Sequence, residues 1–202
     1  MRLIIASNNA NKVREIKEIL GGFFTDILSM REAGLHIDVV EDGDTFEANA
    51  LKKATEILAA APSADAALSD DSGLMVDALG GAPGIYSARY AGAGHDDAAN
   101  NAKLLESMRA VPEAERTCRF VSAVALARRA KPDSPIITRG EAEGRLLTAP
   151  RGEGGFGYDP LFFYPPLSKT FAELSPAEKN AVSHRKRALV ALCAALEREA
   201  CE

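Results

Sequence analysis

The opening stretch of the chain decides the fold class, and it reads RLIIASNNANKVREIKEIL over residues 2–20. The short apolar run from Leu3 to Ala6 is typical of a buried strand, and it stops at polar residues. Apolar residues then recur at helical spacing, at Val13, Ile16, Ile19 and Leu20. The chain therefore opens with a strand, a polar loop and a helix, which is the alternation expected of an α/β protein.

The same alternation continues along the rest of the chain. The predicted elements, in chain order, are helix 45–61, strand 66–69, a glycine-rich loop at 78–94, helix 96–108, strands 117–127 and 136–147, strand 161–164, a helix starting at Ser175 and a terminal helix from about Ser183. No repeat or linker divides the chain, so residues 1–202 are expected to form one domain.

Bulk composition narrows the function classes. The 202 residues are 47% apolar and 26% charged, which is ordinary for a globular protein, and the net charge of −5 argues against nucleic acid as a partner. The apolar run at the N-terminus is too short to cross a membrane, so no membrane association is expected. Three cysteines without paired spacing, Cys118, Cys193 and Cys201, favour a reducing cytoplasm.

The first candidate site is the polar loop Ser7-Asn8-Asn9-Ala10-Asn11-Lys12 between a strand and a helix. Such a junction presents backbone N–H groups and the positive end of a helix dipole to a phosphate, and Lys12 adds a formal charge. The alternative is a capping loop with a solvated lysine, because the segment lacks the glycines of a P-loop.

The second candidate is the acidic run Asp70-Asp71-Ser72-Gly73, predicted to follow a strand as a turn. Adjacent carboxylates need a nearby cation, and Mg²⁺ prefers hard oxygen ligands that it shares with phosphates. The alternative is a turn that binds no metal, since Asp, Ser and Gly all favour turns. A second acidic run, Glu41-Asp42-Gly43-Asp44, precedes the helix that carries Lys53, but it is also consistent with a cap and solvated charges.

Two further segments suit recognition of a base. Glycines around Phe156 and Tyr158 let a backbone approach a flat ligand, and an aromatic face can stack on a nucleobase. Lys179 and the run Ser183-His184-Arg185 place donors near helix starts, where an acceptor-rich ligand such as a keto purine would explain them. Core aromatics and a solvated basic cluster are the alternatives.

Taken together, these segments resemble the inosine triphosphate pyrophosphatase family, which includes bacterial XTP/dITP diphosphatases. The resemblance runs nearly end to end and rests on SNNANK (7–12), DDSGL (70–74), GGAPGIYSARY (80–90), GGFGYDP (154–160) and SHR (183–185). It implies an α/β fold with a central, long, mixed sheet flanked by helices, and two lobes with an active-site cleft between them. It also implies a homodimer.

The activity implied by the resemblance is Mg²⁺-dependent hydrolysis of dITP, ITP and XTP to the monophosphate and pyrophosphate. Asp71 and Glu41 would bind the metal, and Asp71 would accept the proton of the attacking water with Lys53 as a further catalytic residue. The substrate would be bound by Ser7, Asn8, Asn9, Ala10, Asn11, Lys12, Ser72, Phe156, Gly157, Tyr158, Asp159, Lys179, His184 and Arg185.

One position departs from the family pattern. Many members carry Glu directly before the Asn of a Phe-x-Glu-Asn-Ala stretch, whereas this chain reads Phe46-Glu47-Ala48-Asn49-Ala50. On a helix that moves the carboxylate by about 100°, so Glu47 is not given a catalytic role. Asp70 is also left without an assigned role. The alternative functions are a pyrophosphatase for modified pyrimidine nucleotides and a nucleotide sensor without turnover.

Overall fold

The computed structural model describes residues 1–201 and contains a seven-stranded sheet in the order β2-β1-β3-β4-β5-β6-β7. Its strands are β1 (Arg2–Ile5), β2 (Asp26–Ser29), β3 (Ala66–Val76), β4 (Thr117–Arg128), β5 (Ile136–Leu146), β6 (Phe162–Tyr164) and β7 (Lys169–Thr170). The helices are α1 (Ala10–Leu20), α2 (Phe46–Ala60), α3 (Asp97–Ser107), α4 (Pro176–Val182) and α5 (His184–Ala200).

The sheet is mixed, as predicted. β1 pairs in parallel with both β2 and β3, while β6 is antiparallel to β5 and to β7. The edge strands β2 and β7 were not predicted, because four and two residues are too few to show an alternating pattern.

The chain folds as two compact units, each with its own apolar core. The first comprises residues 1–71, 122–140 and the chain from Arg185 onward, and the second comprises residues 72–121 and 141–184. In the first unit α1 and α5 bury Ile16, Leu20, Leu189 and Leu192 against residues of β1 and β3. In the second unit Leu104 and Met108 belong to a core with Phe120, Phe162 and Phe171.

The acidic run Asp70–Gly73 lies inside a strand, so the predicted turn is wrong. β3 continues through these residues to Val76, well past the predicted end at Ser69. Asp, Ser and Gly favour turns when their side chains can bond locally. Here the Asp70 side chain is 2% exposed and paired with cations, and these tertiary contacts outweigh the local preference.

Helix starts follow the capping rules. Ser175 and Glu178 form the expected capping box at the start of α4, with Pro176 at the first helical position. Thr45, rather than Asp44, caps α2 by accepting from the Ala48 N–H at 3.0 Å. Among the described residues, none of the helices combines the length and the apolar character needed to cross a membrane.

Candidate active site

The loop before α1 is tied down by its own side chains. Asn9 caps α1, and its Oδ1 accepts from the N–H groups of Asn11 and Lys12 at 3.0 and 3.1 Å. Asn8 Oδ1 accepts from the Arg31 N–H at 2.9 Å, which holds the loop to the chain after β2. Two of the N–H groups expected to face a phosphate therefore already have an acceptor.

Asp70 is the centre of a buried ionic network in the first unit. Its Oδ2 lies 2.8 Å from Lys12 Nζ and 3.1 Å from Arg185 Nε, and its Oδ1 accepts from the Ser122 hydroxyl. Arg185 NH1 also lies 3.0 Å from Glu15 Oε2. Burial opposes the charge of Asp70, yet Arg185 and Lys12 hold the pKa of this carboxyl well below its ordinary value.

Asp71 has the opposite electrostatic environment. Burial and the nearby Glu41 carboxylate together raise the pKa of Asp71 to about 6, although the Asn49 amide and Lys12 act in the other direction. Its Oδ2 is buried and has no hydrogen-bond partner within residues 1–201. Asp71 is therefore a buried carboxyl whose ionised form would be favoured by an added cation.

Glu41 lies in the loop that precedes α2, and its carboxylate is near enough to Asp71 to raise the pKa of that residue. Glu41 Oε1 is 2.7 Å from Lys53 Nζ, and both side chains are about one quarter exposed, at 27% and 26%. The Asn49 Oδ1 accepts from the Gly43 N–H at 2.8 Å, which fixes this loop to α2. A Cβ at Gly43 would lie 2.8 Å from the same Oδ1, so the close approach requires glycine.

The donor set of Glu41 and Asp71 suits Mg²⁺. Both side chains offer hard oxygen atoms, and Asp71 Oδ2 is a buried acceptor without a donor in the described part of the chain. Within residues 1–201 no group of three or more His, Cys, Asp or Glu could hold a metal by itself. Mg²⁺ commonly binds one or two carboxylates and completes its coordination shell with water and phosphate oxygens.

The aromatic loop of residues 156–159 lies in the second unit with Lys179 beside it. Lys179 Nζ is 4.3 Å from the centre of the Phe156 ring and forms an ion pair with Asp159, whose side chain is 2% exposed. Asp159 Oδ2 also accepts from the Phe156 N–H at 2.9 Å. The Phe156 ring is 43% exposed and so presents a face that a flat ligand can cover.

His184 belongs to the same unit and stacks on Phe120. The two ring centres are 4.9 Å apart and the ring planes differ by 14°. Arg185, the next residue, belongs to the first unit, where its guanidinium is 4% exposed and bonded to Asp70 and Glu15. Arg185 therefore lies among the residues around Asp70. This position was not predicted, because Arg185 was expected to bind the base.

The structure brings the predicted residues together in two groups, one in each unit. The carboxylate–lysine cluster of the first unit consists of Lys12, Glu41, Lys53, Asp70 and Asp71, and the aromatic loop of the second unit gathers Phe156, Gly157, Tyr158, Asp159 and Lys179. Ser72 follows Asp71 in β3.

Sequence reasoning missed four residues that hold these groups in place. Asn49 and Ser122 contact the first group, and Asp97 and Asn101 bond the backbone of Gly157. The four-residue spacing of Asp97 and Asn101 on a predicted helix was the one available signal, since it puts both on one face.

Known proteins resemble this chain over nearly its whole length. Residues 3–195 match the sequence model of the Ham1 family. A dITP/XTP pyrophosphatase of Clostridium perfringens is 52% identical over 93% of both chains, and one of Pseudomonas aeruginosa is 51% identical over 95% of this chain and 94% of its own.

Solved structures show the same similarity. The Ham1 protein of Staphylococcus aureus matches with a TM-score of 0.88 at 38% identity, covering 98% of this chain and all (100%) of its own. A HAM1 protein from Coxiella burnetii matches with a TM-score of 0.88 at 39% identity, over 98% of this chain and 99% of its own.

Proposed function

Since the chain belongs to the Ham1 family, we propose that it hydrolyses the non-canonical purine nucleoside triphosphates dITP, ITP and XTP to the monophosphate and pyrophosphate. This reaction removes deaminated purines from the nucleotide pool. The observation that carries the proposal is the buried Asp71 carboxyl, with a pKa raised to about 6 and an oxygen that lacks a donor within residues 1–201. Such a group is suited to accept a proton at neutral pH.

The carboxylate–lysine cluster would bind the triphosphate. Lys12 and Lys53 carry positive charge, and their side chains remain 20% and 26% exposed, so a phosphate oxygen can reach them. The side chains of Ser7, Asn8, Asn9 and Asn11 and the backbone of Ala10 add hydrogen-bonding groups, and Ser72 adds its hydroxyl. Binding here neutralises charge on the polyphosphate, which is the main requirement of phosphoryl transfer.

Glu41 and Asp71 would hold Mg²⁺, which when bound would screen the phosphate oxygens and increase the acidity of water. Asp71 takes the proton of the attacking water as the anhydride bond between the α and β phosphates is hydrolysed. Lys53, which pairs with Glu41, and Lys12, which pairs with Asp70, would balance the charge that develops on the leaving pyrophosphate. A covalent intermediate is not needed.

The aromatic loop would bind the base. The exposed Phe156 ring can stack on a purine, and Lys179 and His184 would supply donors for a 6-keto group. A part for Arg185 in base binding stays a prediction, because its guanidinium is bonded to Asp70 and Glu15. A site that presents donors at this position rejects adenine, because the 6-amino group is also a donor and leaves buried groups unpaired. Gly157, Tyr158 and Asp159 complete the loop.

The proposal also covers the oligomeric state and the cellular compartment of the enzyme. Residues 1–202 would act as one domain in a homodimer in the cytoplasm. The free thiols of Cys118, Cys193 and Cys201 are consistent with a reducing compartment. Light scattering on the purified protein tests the dimer, and a monomeric mass at micromolar concentration would refute it.

The experiment that tests the activity is incubation with a panel of nucleoside triphosphates and Mg²⁺, with separate detection of pyrophosphate, orthophosphate and monophosphate. We expect equal amounts of pyrophosphate and monophosphate from ITP and XTP. Binding without release of products would indicate a nucleotide sensor, and release mainly from modified pyrimidines would indicate the related pyrimidine enzyme.

A further inference from the structure

One residue of the aromatic loop, Gly157, is held by α3 at both of its backbone polar groups. Its N–H donates to Asp97 Oδ2 at 2.7 Å, and its carbonyl accepts from Asn101 Nδ2 at 2.8 Å. Asp97 and Asn101 are four residues apart in α3, so they share one face of the helix. These two hydrogen bonds are called the Gly157 clamp below.

The clamp holds a residue that little else restrains. Gly157 has φ of +62°, in the left-handed region, and a Cβ built on it would meet no atom within 4 Å. Glycine has the largest backbone freedom of any residue, and packing does not limit it here. The Asp159 N–H also donates to the Phe156 carbonyl at 3.3 Å across this turn, but the N–H and the carbonyl of Gly157 itself are held by α3.

The position of Gly157 determines how the neighbouring aromatic side chains are presented. Tyr158, on one side, is buried and donates its hydroxyl hydrogen to the Ser87 carbonyl at 2.8 Å, so it is fixed within the second unit. Phe156, on the other side, is 43% exposed and is restrained by Asp159 and Lys179. Rotation of the Gly157 peptide would move the Phe156 ring while Tyr158 stays in place.

We propose that Asp97 and Asn101 are positioning residues for base recognition, which act by fixing the Gly157 backbone so that the Phe156 ring is held ready to stack on the purine. Neither side chain needs to touch the nucleotide. Holding the loop in its binding conformation before the ligand arrives reduces the entropy lost on binding. The proposal rests on the function proposed above for the aromatic loop.

The neighbouring helix cap provides a matched control. Asp96 caps α3, and its Oδ1 accepts from the Ala99 N–H at 3.1 Å. Asp96→Ala removes a hydrogen bond and a charge from the same helix end but leaves both bonds of the clamp. An effect that only reflects a weakened helix should therefore appear equally in Asp96→Ala and Asp97→Ala.

The test compares Asp97→Ala, Asn101→Asp and Asp96→Ala with the wild-type protein. Asn101→Asp keeps the shape of the side chain but replaces the donor to the Gly157 carbonyl by an acceptor. We expect each clamp variant to raise KM for ITP roughly three- to ten-fold, because about one hydrogen bond is lost. The kcat of each variant should stay within about two-fold of the wild-type value. Asp97→Asn, which keeps an acceptor oxygen, should restore KM, and Asp96→Ala should lower Tm without raising KM.

An unchanged KM in Asn101→Asp, or an equal rise of KM in Asp96→Ala, would overturn the proposal. If Asp97→Ala does not fold, the comparison of Asn101→Asp with Asp96→Ala decides. The binding of inosine monophosphate, measured by calorimetry, separates this proposal from the activity, because it needs no turnover. Weaker binding to the clamp variants than to the wild type supports the clamp even if no triphosphate is hydrolysed, whereas equal binding, or no binding to any of them, contradicts it.

Discussion

At the scale of single residues, two adjacent aspartates in β3 differ because of the groups that each one faces. Asp70 faces Lys12 and Arg185, which hold the pKa of its carboxyl low in spite of burial. Burial and the Glu41 carboxylate raise the pKa of Asp71 to about 6. Paired carboxyls with diverging pKa values are a common arrangement in hydrolases, with one group structural and the other reactive.

Asp70→Asn should destabilise the protein by about 3 kcal/mol, because the change removes the buried carboxylate that pairs with Lys12 and leaves the buried Arg185 with the Glu15 pair alone. Denaturant unfolding at pH 7 in the presence of a chelator measures this directly. The control is Asp42→Asn, which removes an ion pair with Lys52 whose side chains are 65% and 33% exposed, and should lower the stability far less. Equal costs for the two variants would mean that the Asp70 network contributes no more than a surface pair.

Asp71→Asn should lower kcat for ITP by about 100-fold or more, since it removes the proton acceptor, and should change KM far less. Steady-state kinetics at saturating Mg²⁺ measures both constants. A kcat like that of the wild type would remove Asp71 from the chemistry.

The raised pKa of Asp71 also predicts a pH-dependent stability in the absence of metal. A carboxyl whose pKa is about 6 in the folded protein and about 4 in the unfolded chain stabilises the fold below about pH 4 and loses that contribution as the pH rises through 6. Asp71→Asn stays neutral and should therefore be more stable than the wild type at pH 8 in chelator, by about 1–3 kcal/mol. Denaturant midpoints at pH 8 and pH 4 check this, and a difference that grows toward pH 4 would contradict the sign.

At the scale of elements, β3 shows what local sequence can and cannot predict. The helix bounds and the capping box of α4 were predicted closely, although Thr45 rather than Asp44 caps α2, because a capping residue and an apolar repeat act within a few positions. The continuation of β3 through Asp70–Gly73 was not predicted, because it depends on partners far along the chain, such as Arg185, 115 residues away. The family resemblance implied that Glu41 and Asp71 act together, but neither Asn49 nor the network around Asp70 was predicted.

Position 73 in β3 requires glycine because Ser87 and Gly84 lie too close to it to leave room for a side chain. A Cβ at this position would lie 2.4 Å from Ser87 Oγ and 2.5 Å from the Gly84 carbonyl oxygen, and Ser87 Oγ accepts from the Leu74 N–H at 2.9 Å. Gly73→Ala should therefore displace the segment Gly84–Arg89 and cost about 2–3 kcal/mol.

Gly94→Ala is the control for this change, since a Cβ there would meet no atom within 4 Å. Thermal unfolding of the two variants checks the prediction. Equal melting temperatures for Gly73→Ala and the wild type would show that Ser87 and Gly84 can move away from position 73 without loss of stability.

At the scale of the whole molecule, the candidate chemistry is divided between the two units. The first carries the charged groups suited to phosphates and Mg²⁺, and the second carries the aromatic loop and Lys179. With a net charge of −5, the protein as a whole does not attract polyanions, so an anionic substrate must be bound by these local cations. Recognition of the base then determines which triphosphate is hydrolysed.

The preference for deaminated purines is tested by the ratio of kcat/KM for dITP to kcat/KM for dATP, measured with Mg²⁺ by pyrophosphate release. The two substrates share the sugar and the triphosphate and differ at position 6 of the purine. We expect a ratio of at least about 100, because a donor in the site bonds the keto group and is left unpaired against the amino group. A ratio near one, or faster hydrolysis of dATP, would contradict the central claim that the protein selects deaminated purine nucleotides.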